Sequence, residues 1–149
     1  VNDRVDVALA LGADGVQLGE DAMPVEAVRR ISGRRLLVGR SVHSVDGAIE
    51  AEAQDADFLL VGTVFATNSK PETEPTGPEI LRDVGKVINV PFLAIGGVNA
   101  TNVAQVLEHG AHGAAVVSAI MASPDARQAA KGLKQAMKAA AERKMLSSI

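Results

Sequence analysis

Residues able to bind an anion stand where short apolar segments of this 149-residue sequence end. One segment is followed by a long polar loop containing Thr67, Ser69 and Lys70, whose hydroxyls and ammonium group could clamp an anion. Another ends in the glycine pair 96–97, where backbone N–H groups can approach a ligand and a following helix N-terminus favours a phosphate. Ser118 lies in the last apolar segment, without a histidine and carboxylate spaced to make it a nucleophile. The pattern predicts a phosphate site, with a solvated loop, a tight packing turn and a buried core hydroxyl as the structural alternatives.

Candidate metal ligands and bases are few. Two carboxylates that meet across neighbouring strand ends could hold Mg²⁺ through oxygen ligands, and Asp3, Glu20 and Asp21 are the candidates. His43, two residues after Ser41, is a candidate base, although a lone histidine at a strand end is usually structural. The sequence has no cysteine, which excludes disulfide scaffolds, cysteine zinc sites and cysteine nucleophiles, and which is compatible with a cytoplasmic protein.

Short apolar strands and amphipathic helices alternate along the chain and must position these residues. The predicted strands are nearly apolar on both faces, which is typical of a covered parallel sheet. They span residues 15–18, 36–41, 57–64, 92–95 and 114–119. The predicted helices span residues 4–11, 25–31, 45–53, 79–88, 101–109 and 124–144, the last with Ser123 as N-cap and Pro124 at its first position.

Two α/β folds fit this alternation: an open doubly wound sheet and a (β/α)8 TIM barrel. The dinucleotide-binding pattern Gly-x-Gly-x-x-Gly does not follow the first strand, and functional residues cluster after strands, so we favour the barrel. A barrel needs eight strands and five are visible, so the sequence predicts a partial barrel with about three strands before Val1 or supplied from elsewhere.

The composition and net charge of the chain limit the classes of partner that it could bind. The chain has 15 basic and 18 acidic residues, a net charge of −3, three Phe and neither Trp nor Tyr, which argues against nucleic-acid binding. The longest stretch without charge or proline, about 14 residues at 110–123, is too short to cross a bilayer, and no signal peptide opens the chain. We therefore expect a cytoplasmic protein without nucleic-acid or membrane partners. An open sheet edge would favour a homo-oligomer.

The motifs, taken in order, resemble the superfamily of thiamine-phosphate synthase and the TenI-like thiazole tautomerases. The resemblance lies in residues 1–6, 12–19, 39–44, 56–58, 62–67, 69–71, 94–98 and 115–120. It implies that residues 1–149 form a single domain, the C-terminal portion of such a barrel, truncated at the N-terminus and beginning at the end of its third strand.

The resemblance also implies a reaction. The synthase joins hydroxymethylpyrimidine diphosphate to thiazole phosphate and releases pyrophosphate with the assistance of Mg²⁺. By position, Asn2 and Asp3 would face the pyrophosphate, with Asp3 a metal ligand, and Ser41 would lie beside the pyrimidine and pyrophosphate. Lys70 would neutralise the pyrophosphate. The remaining substrate- and phosphate-binding positions would be Gln17, Thr67, Ser69, Gly97, Val117 and Ser118.

The sequence departs from both branches of the superfamily. Ala22 stands at the synthase's second metal-ligand position, and Asp21 could substitute only by a shift of one residue. Gln17 and residues 39–44 resemble the tautomerase, yet Thr63 stands where the tautomerase's acid–base histidine is expected. We predict a synthase, with a tautomerase and a catalytically degenerate thiazole or thiamine phosphate-binding barrel as alternatives.

Overall fold

A five-stranded parallel sheet organises the computed structural model, which describes residues 1–69 and 71–146. The strands lie side by side in chain order, each parallel to the next, so the predicted α/β arrangement is confirmed. They are β1 (Gly15–Leu18), β2 (Leu37–Val42), β3 (Phe58–Val61), β4 (Phe92–Ile95) and β5 (Gly113–Ala115). Within the described residues the sheet does not close on itself, as expected for part of a (β/α)8 barrel.

Helices cover one face of the sheet and form the core with it. Val16, Leu59 and Ala94 point to that face and are at most 2% exposed. Their sequence neighbours Gln17 and Leu60 point to the opposite, inner face and are half-buried. The helices are α1 (Val5–Leu11), α2 (Val25–Ser32), α3 (Val45–Ala53), α4 (Glu79–Gly85), α5 (Val103–Glu108), α6 (Ser118–Met121) and α7 (Ala126–Leu146). Among the described residues, no helix is both long and apolar enough to span a membrane.

The last predicted strand is wrong in its second half. β5 ends at Ala115, and Ser118 begins the short helix α6, because the Val117 carbonyl accepts from the N–H groups of Ile120 and Met121 at 3.1 and 2.9 Å. Ser118 is consequently exposed and is not a buried strand hydroxyl.

Other predicted element boundaries also differ from the structure; α4, for example, ends at Gly85 and not at residue 88. Asp125 caps α7, since its Oδ1 accepts from the Gln128 N–H at 2.9 Å, so Ser123 and Pro124 precede this helix. β3 ends at Val61, although the Val64 N–H still donates to the Ile95 carbonyl at 2.9 Å.

An ion-pair network joins α2 to the amino ends of β2 and β3. The Arg29 guanidinium lies 2.5 Å from Asp57 Oδ2 and donates to the carbonyls of Leu36 and Asp55 at 2.8 and 2.9 Å. Asp57 Oδ2 also accepts from the Val38 N–H at 2.6 Å. The side chain of Arg29 is only 10% exposed, so this carboxylate is paired in a largely water-excluded place.

We expect Arg29→Ala to lower the free energy of unfolding by about 3 kcal/mol, because it removes the largely buried guanidinium that pairs with Asp57 and leaves two carbonyls without this donor. Arg30→Ala is the matched control. Arg30 is 71% exposed and, among the residues that the structure describes, pairs only with Glu26 at 3.5 Å, so its loss should cost about 0.5 kcal/mol or less. Urea unfolding of both variants measures the difference, and equal losses would show that the network adds no stability.

Candidate active site

A cavity of about 220 Å³ opens at the carboxyl ends of β2 to β5. Its lining includes His43, Thr63 and Gly96. It also brings together six of the residues predicted from the sequence: Ser41, Thr67, Ser69, Gly97, Val117 and Ser118. They come from the end of β2 and from the three segments that follow β3, β4 and β5, and parallel strands place these positions at one edge of the sheet.

The loop that follows β3 forms one wall of this cavity. It also lines an adjoining cavity of about 590 Å³, which shares Thr67, Gly97 and Ser118 with the first. The loop returns close to its start, because the Thr63 carbonyl accepts from the N–H and the hydroxyl of Thr76 at 2.8 and 3.1 Å. Lys70 lies outside the described residues, so its predicted contact with pyrophosphate stays a prediction.

The turn at Gly97 packs directly against this loop. Gly97 has φ +63°, and a Cβ there would lie 2.8 Å from Phe65 Cβ and closer still to the Ala66 carbonyl oxygen. Its own carbonyl accepts from the side-chain amides of Asn99 and Asn102 at 3.3 and 3.0 Å. Glycine is therefore required for packing, and the turn at Gly97 and Val98 also lines the cavity.

Two backbone N–H groups of this turn are available to a ligand. Within residues 1–69 and 71–146, the N–H groups of Gly97 and Val98 donate to no protein acceptor. The helix dipoles contribute less than the sequence suggests, because α5 begins only at Val103 and α6 has four residues. An anion here would be bound by loop amides and hydroxyls.

A second group of predicted residues lies beside β1. Residues 1–3 run parallel to this strand, with Asn2 opposite Gln17 and the Asp3 N–H donating to the Gln17 carbonyl at 2.9 Å. Gln17 Nε2 donates in turn to Ser41 Oγ at 3.1 Å, which connects this group to the cavity. Gln17 Oε1 is buried and has no partner among the described residues. Asn2, Asp3 and Gln17 do not themselves line the cavity.

The carboxylate of Asp3 lies beside the carboxyl end of β1. Its Oδ1 accepts from the Gly19 N–H at 2.7 Å. The neighbouring Arg4 does not neutralise it, because Arg4 donates to Asp6 at 2.6 and 2.9 Å. Hydrogen bonding by Arg4 is the main reason why the pKa of Asp6 is lowered to about 2.

The described residues do not form a closed metal cage. No group of three or more histidine or carboxylate side chains among them is placed to hold a metal ion. Mg²⁺ commonly binds one or two protein carboxylates together with substrate phosphates, and Asp3 fits this role as a single protein ligand. Asp21 is exposed and lines neither cavity.

His43 and Thr63 also line the cavity; the sequence offered His43 as a candidate base and assigned Thr63 no role in binding. Thr63 is 5% exposed and lies two residues after the end of β3. The sequence feature that points to His43 is its position two residues after Ser41. In an extended chain, residues two apart lie on the same side, so both side chains leave β2 in the same direction.

The chain is similar to proteins of known name over most of its length. A family model described as thiamine monophosphate synthase matches residues 1–120. The thiamine-phosphate synthase of Pyrococcus horikoshii is 47% identical over 135 residues, a match covering 91% of this chain and 65% of that protein. That of Chloroflexus aurantiacus is 48% identical over 135 residues, covering 90% of this chain and 62% of that protein.

A solved structure shares the same arrangement. Thiamine phosphate pyrophosphorylase from Pyrococcus furiosus matches with a TM-score of 0.85 and 43% identity, over 94% of this chain and 67% of that one. The chain spans 65% and 62% of the length of the two curated relatives above.

Proposed function

We propose that this chain, which belongs to the thiamine monophosphate synthase family, provides an active site that joins hydroxymethylpyrimidine diphosphate to thiazole phosphate and releases pyrophosphate. Membership of the family confirms the resemblance carried by the motifs. The observation that carries the proposal is the cavity itself, in which six residues predicted from separate motifs converge. The reaction would take place in the cytoplasm on small phosphate substrates.

The thiazole phosphate would occupy the cavity beside the Gly97 turn. The N–H groups of Gly97 and Val98 and the hydroxyls of Thr67, Ser69 and Ser118 offer donors at its wall. Such donors bind a phosphate without a neighbouring lysine or arginine, and residues 91–126 contain neither. This part of the site would hold the nucleophilic substrate in place for attack.

The diphosphate would lie towards β1 and β2. Ser41 Oγ, oriented by Gln17, would donate to it, and Asn2 and Lys70 would stabilise the charge that develops as the C–O bond to pyrophosphate breaks. Mg²⁺, when bound, would neutralise the diphosphate and would take Asp3 as its protein ligand. The electron pair for the new bond to the pyrimidine methylene comes from the thiazole nitrogen.

The structure favours the synthase over the tautomerase. A tautomerase needs an acid–base group at the end of β3, and Thr63 is buried there with its carbonyl bound by Thr76. The cavity's histidine, His43, has both ring nitrogens engaged by protein groups. A side chain occupied in this way is poorly placed to exchange protons with a thiazole.

The reaction is tested by supplying both substrates with Mg²⁺ to the full-length protein. We expect thiamine phosphate and pyrophosphate in equal amounts, and a fall of at least about 10²-fold in rate when EDTA removes the metal. Omitting thiazole phosphate should abolish the release of pyrophosphate beyond background hydrolysis. Binding of thiazole phosphate without turnover would identify a degenerate binder, and interconversion of thiazole tautomers without pyrophosphate release would identify a tautomerase.

A further inference from the structure

His43 contacts two strand ends besides its own. It follows β2 directly, and its Nδ1 makes a short hydrogen bond with the carbonyl of Gly62, the residue after β3. Its Nε2 lies 3.3 Å from Oε2 of Glu20, in the connection after β1. The side chain is 29% exposed and lines the 220 Å³ cavity.

Both ring nitrogens of His43 face groups that only accept hydrogen bonds. Nδ1 is hydrogen-bonded with the Gly62 carbonyl, and Nε2 lies within ion-pair distance of the Glu20 carboxylate. A ring held at two points is fixed in orientation, whereas a base that removes a substrate proton needs a free nitrogen.

The contact at Gly62 reaches the wall of the cavity. A Cβ at Gly62 would lie 2.9 Å from the Ile95 carbonyl carbon, so this segment is packed tightly against β4. The next residue, Thr63, anchors the returning end of the loop through its bonds with Thr76. The position of the Gly62 carbonyl is thus coupled through Thr63 to the loop that carries Thr67 and Ser69.

We infer that His43 is a positioning residue: clamped between Gly62 and Glu20, it sets the end of β3 and the loop that follows at the wall of the cavity. The inference rests on the proposed synthase function for its effect on turnover. It assigns His43 no direct part in bond making or breaking. Its effect should appear in the rate of the bound complex, because small misplacement of binding groups slows reaction more than binding.

The test compares two substitutions at this position. We expect His43→Ala to lower kcat about 30- to 100-fold while changing KM for thiazole phosphate less than about threefold. His43→Asn places an amide N–H near the position of Nδ1 and can still donate to Gly62, so kcat should recover to within about fivefold of wild type. A role confined to stability would lower the melting temperature without this split between kcat and KM.

Glu20 supplies a second, independent readout. Glu20→Ala should lower kcat about fivefold, and the His43→Ala/Glu20→Ala double variant should be no slower than His43→Ala within about twofold, since both act through one contact. His109→Ala is the control, because His109 lines neither cavity and its Nδ1 contacts the Gln105 carbonyl of its own helix turn at 2.8 Å. It should leave kcat unchanged.

Protease sensitivity tests the same inference without turnover. His43→Ala should speed cleavage after Glu72 by a glutamate-specific protease about tenfold, because a released loop opens more often. An unchanged cleavage rate, a kcat within threefold of wild type for His43→Ala, or additive losses in the double variant would overturn the inference. Absence of turnover in the wild-type protein would instead overturn the proposed function, and the cleavage rates would still decide the role of His43.

Discussion

Ser118→Asp is expected to weaken thiazole phosphate binding by about 10²- to 10³-fold, because it places a carboxylate beside the phosphate in the cavity. Ser118 is exposed at the first position of α6, so the substitution fits without displacing packed neighbours. An acidic residue in the first turn of a helix is well tolerated, and the melting temperature should therefore change little. Titration calorimetry with thiazole phosphate measures the affinity directly.

Two variants separate the charge from the loss of the hydroxyl. Ser118→Ala removes one donor and keeps the backbone N–H, so affinity should fall by about tenfold or less. Ser123→Asp adds the same charge beyond α6, where an aspartate can still accept from the Asp125 N–H as the serine does at 3.2 Å, and it should bind normally. Equal affinities for Ser118→Asp and the wild type would show that the phosphate does not bind in this cavity.

The sequence could bring six of the predicted residues to one cavity because the fold is parallel. Their motifs lie at or after strand ends, and in a parallel sheet every such position falls on one edge. Thr67, Gly97 and Ser118 therefore meet although the first and last are 51 residues apart in the chain. Their positions depend on topology alone, which the alternation of apolar and amphipathic segments reveals.

The remaining features depend on contacts that no local pattern encodes. The run 114–119 is apolar except for Ser118, and such a run does not distinguish a strand of six from a strand of three followed by a helical turn. His43 was only a candidate base, since the sequence does not show that its two ring nitrogens meet Gly62 and Glu20 from other connections. The requirement for Gly97 was expected, with the approach of an anion and a tight packing turn as alternative causes. A Cβ at Gly97 would meet Phe65 and Ala66, so packing against the loop accounts for the glycine.

Because Gly97 packs against Phe65 and Ala66, Gly97→Ala is the substitution with the largest expected effect on stability. The new Cβ would meet Phe65 Cβ at 2.8 Å and the Ala66 carbonyl, and an L-residue at φ +63° is strained before any contact is counted. Together these effects should lower the free energy of unfolding by about 3 kcal/mol or more, or roughly 6 to 12 °C in melting temperature. Urea and thermal unfolding without ligand measure both quantities.

Gly132→Ala tests this explanation with the same change of residue in a different environment. Gly132 lies inside α7, where a Cβ would meet nothing within 4 Å, so alanine should raise the free energy of unfolding by about 0.5 to 1 kcal/mol. The two substitutions should therefore change stability in opposite directions. If glycine at 97 served only to leave space for an anion, Gly97→Ala would unfold like the wild type in the absence of ligand and would lose only affinity. If Gly97→Ala unfolded at the same urea concentration as the wild type, this would contradict the packing of Gly97 against the loop. A large loss of stability with no phosphate present would support it.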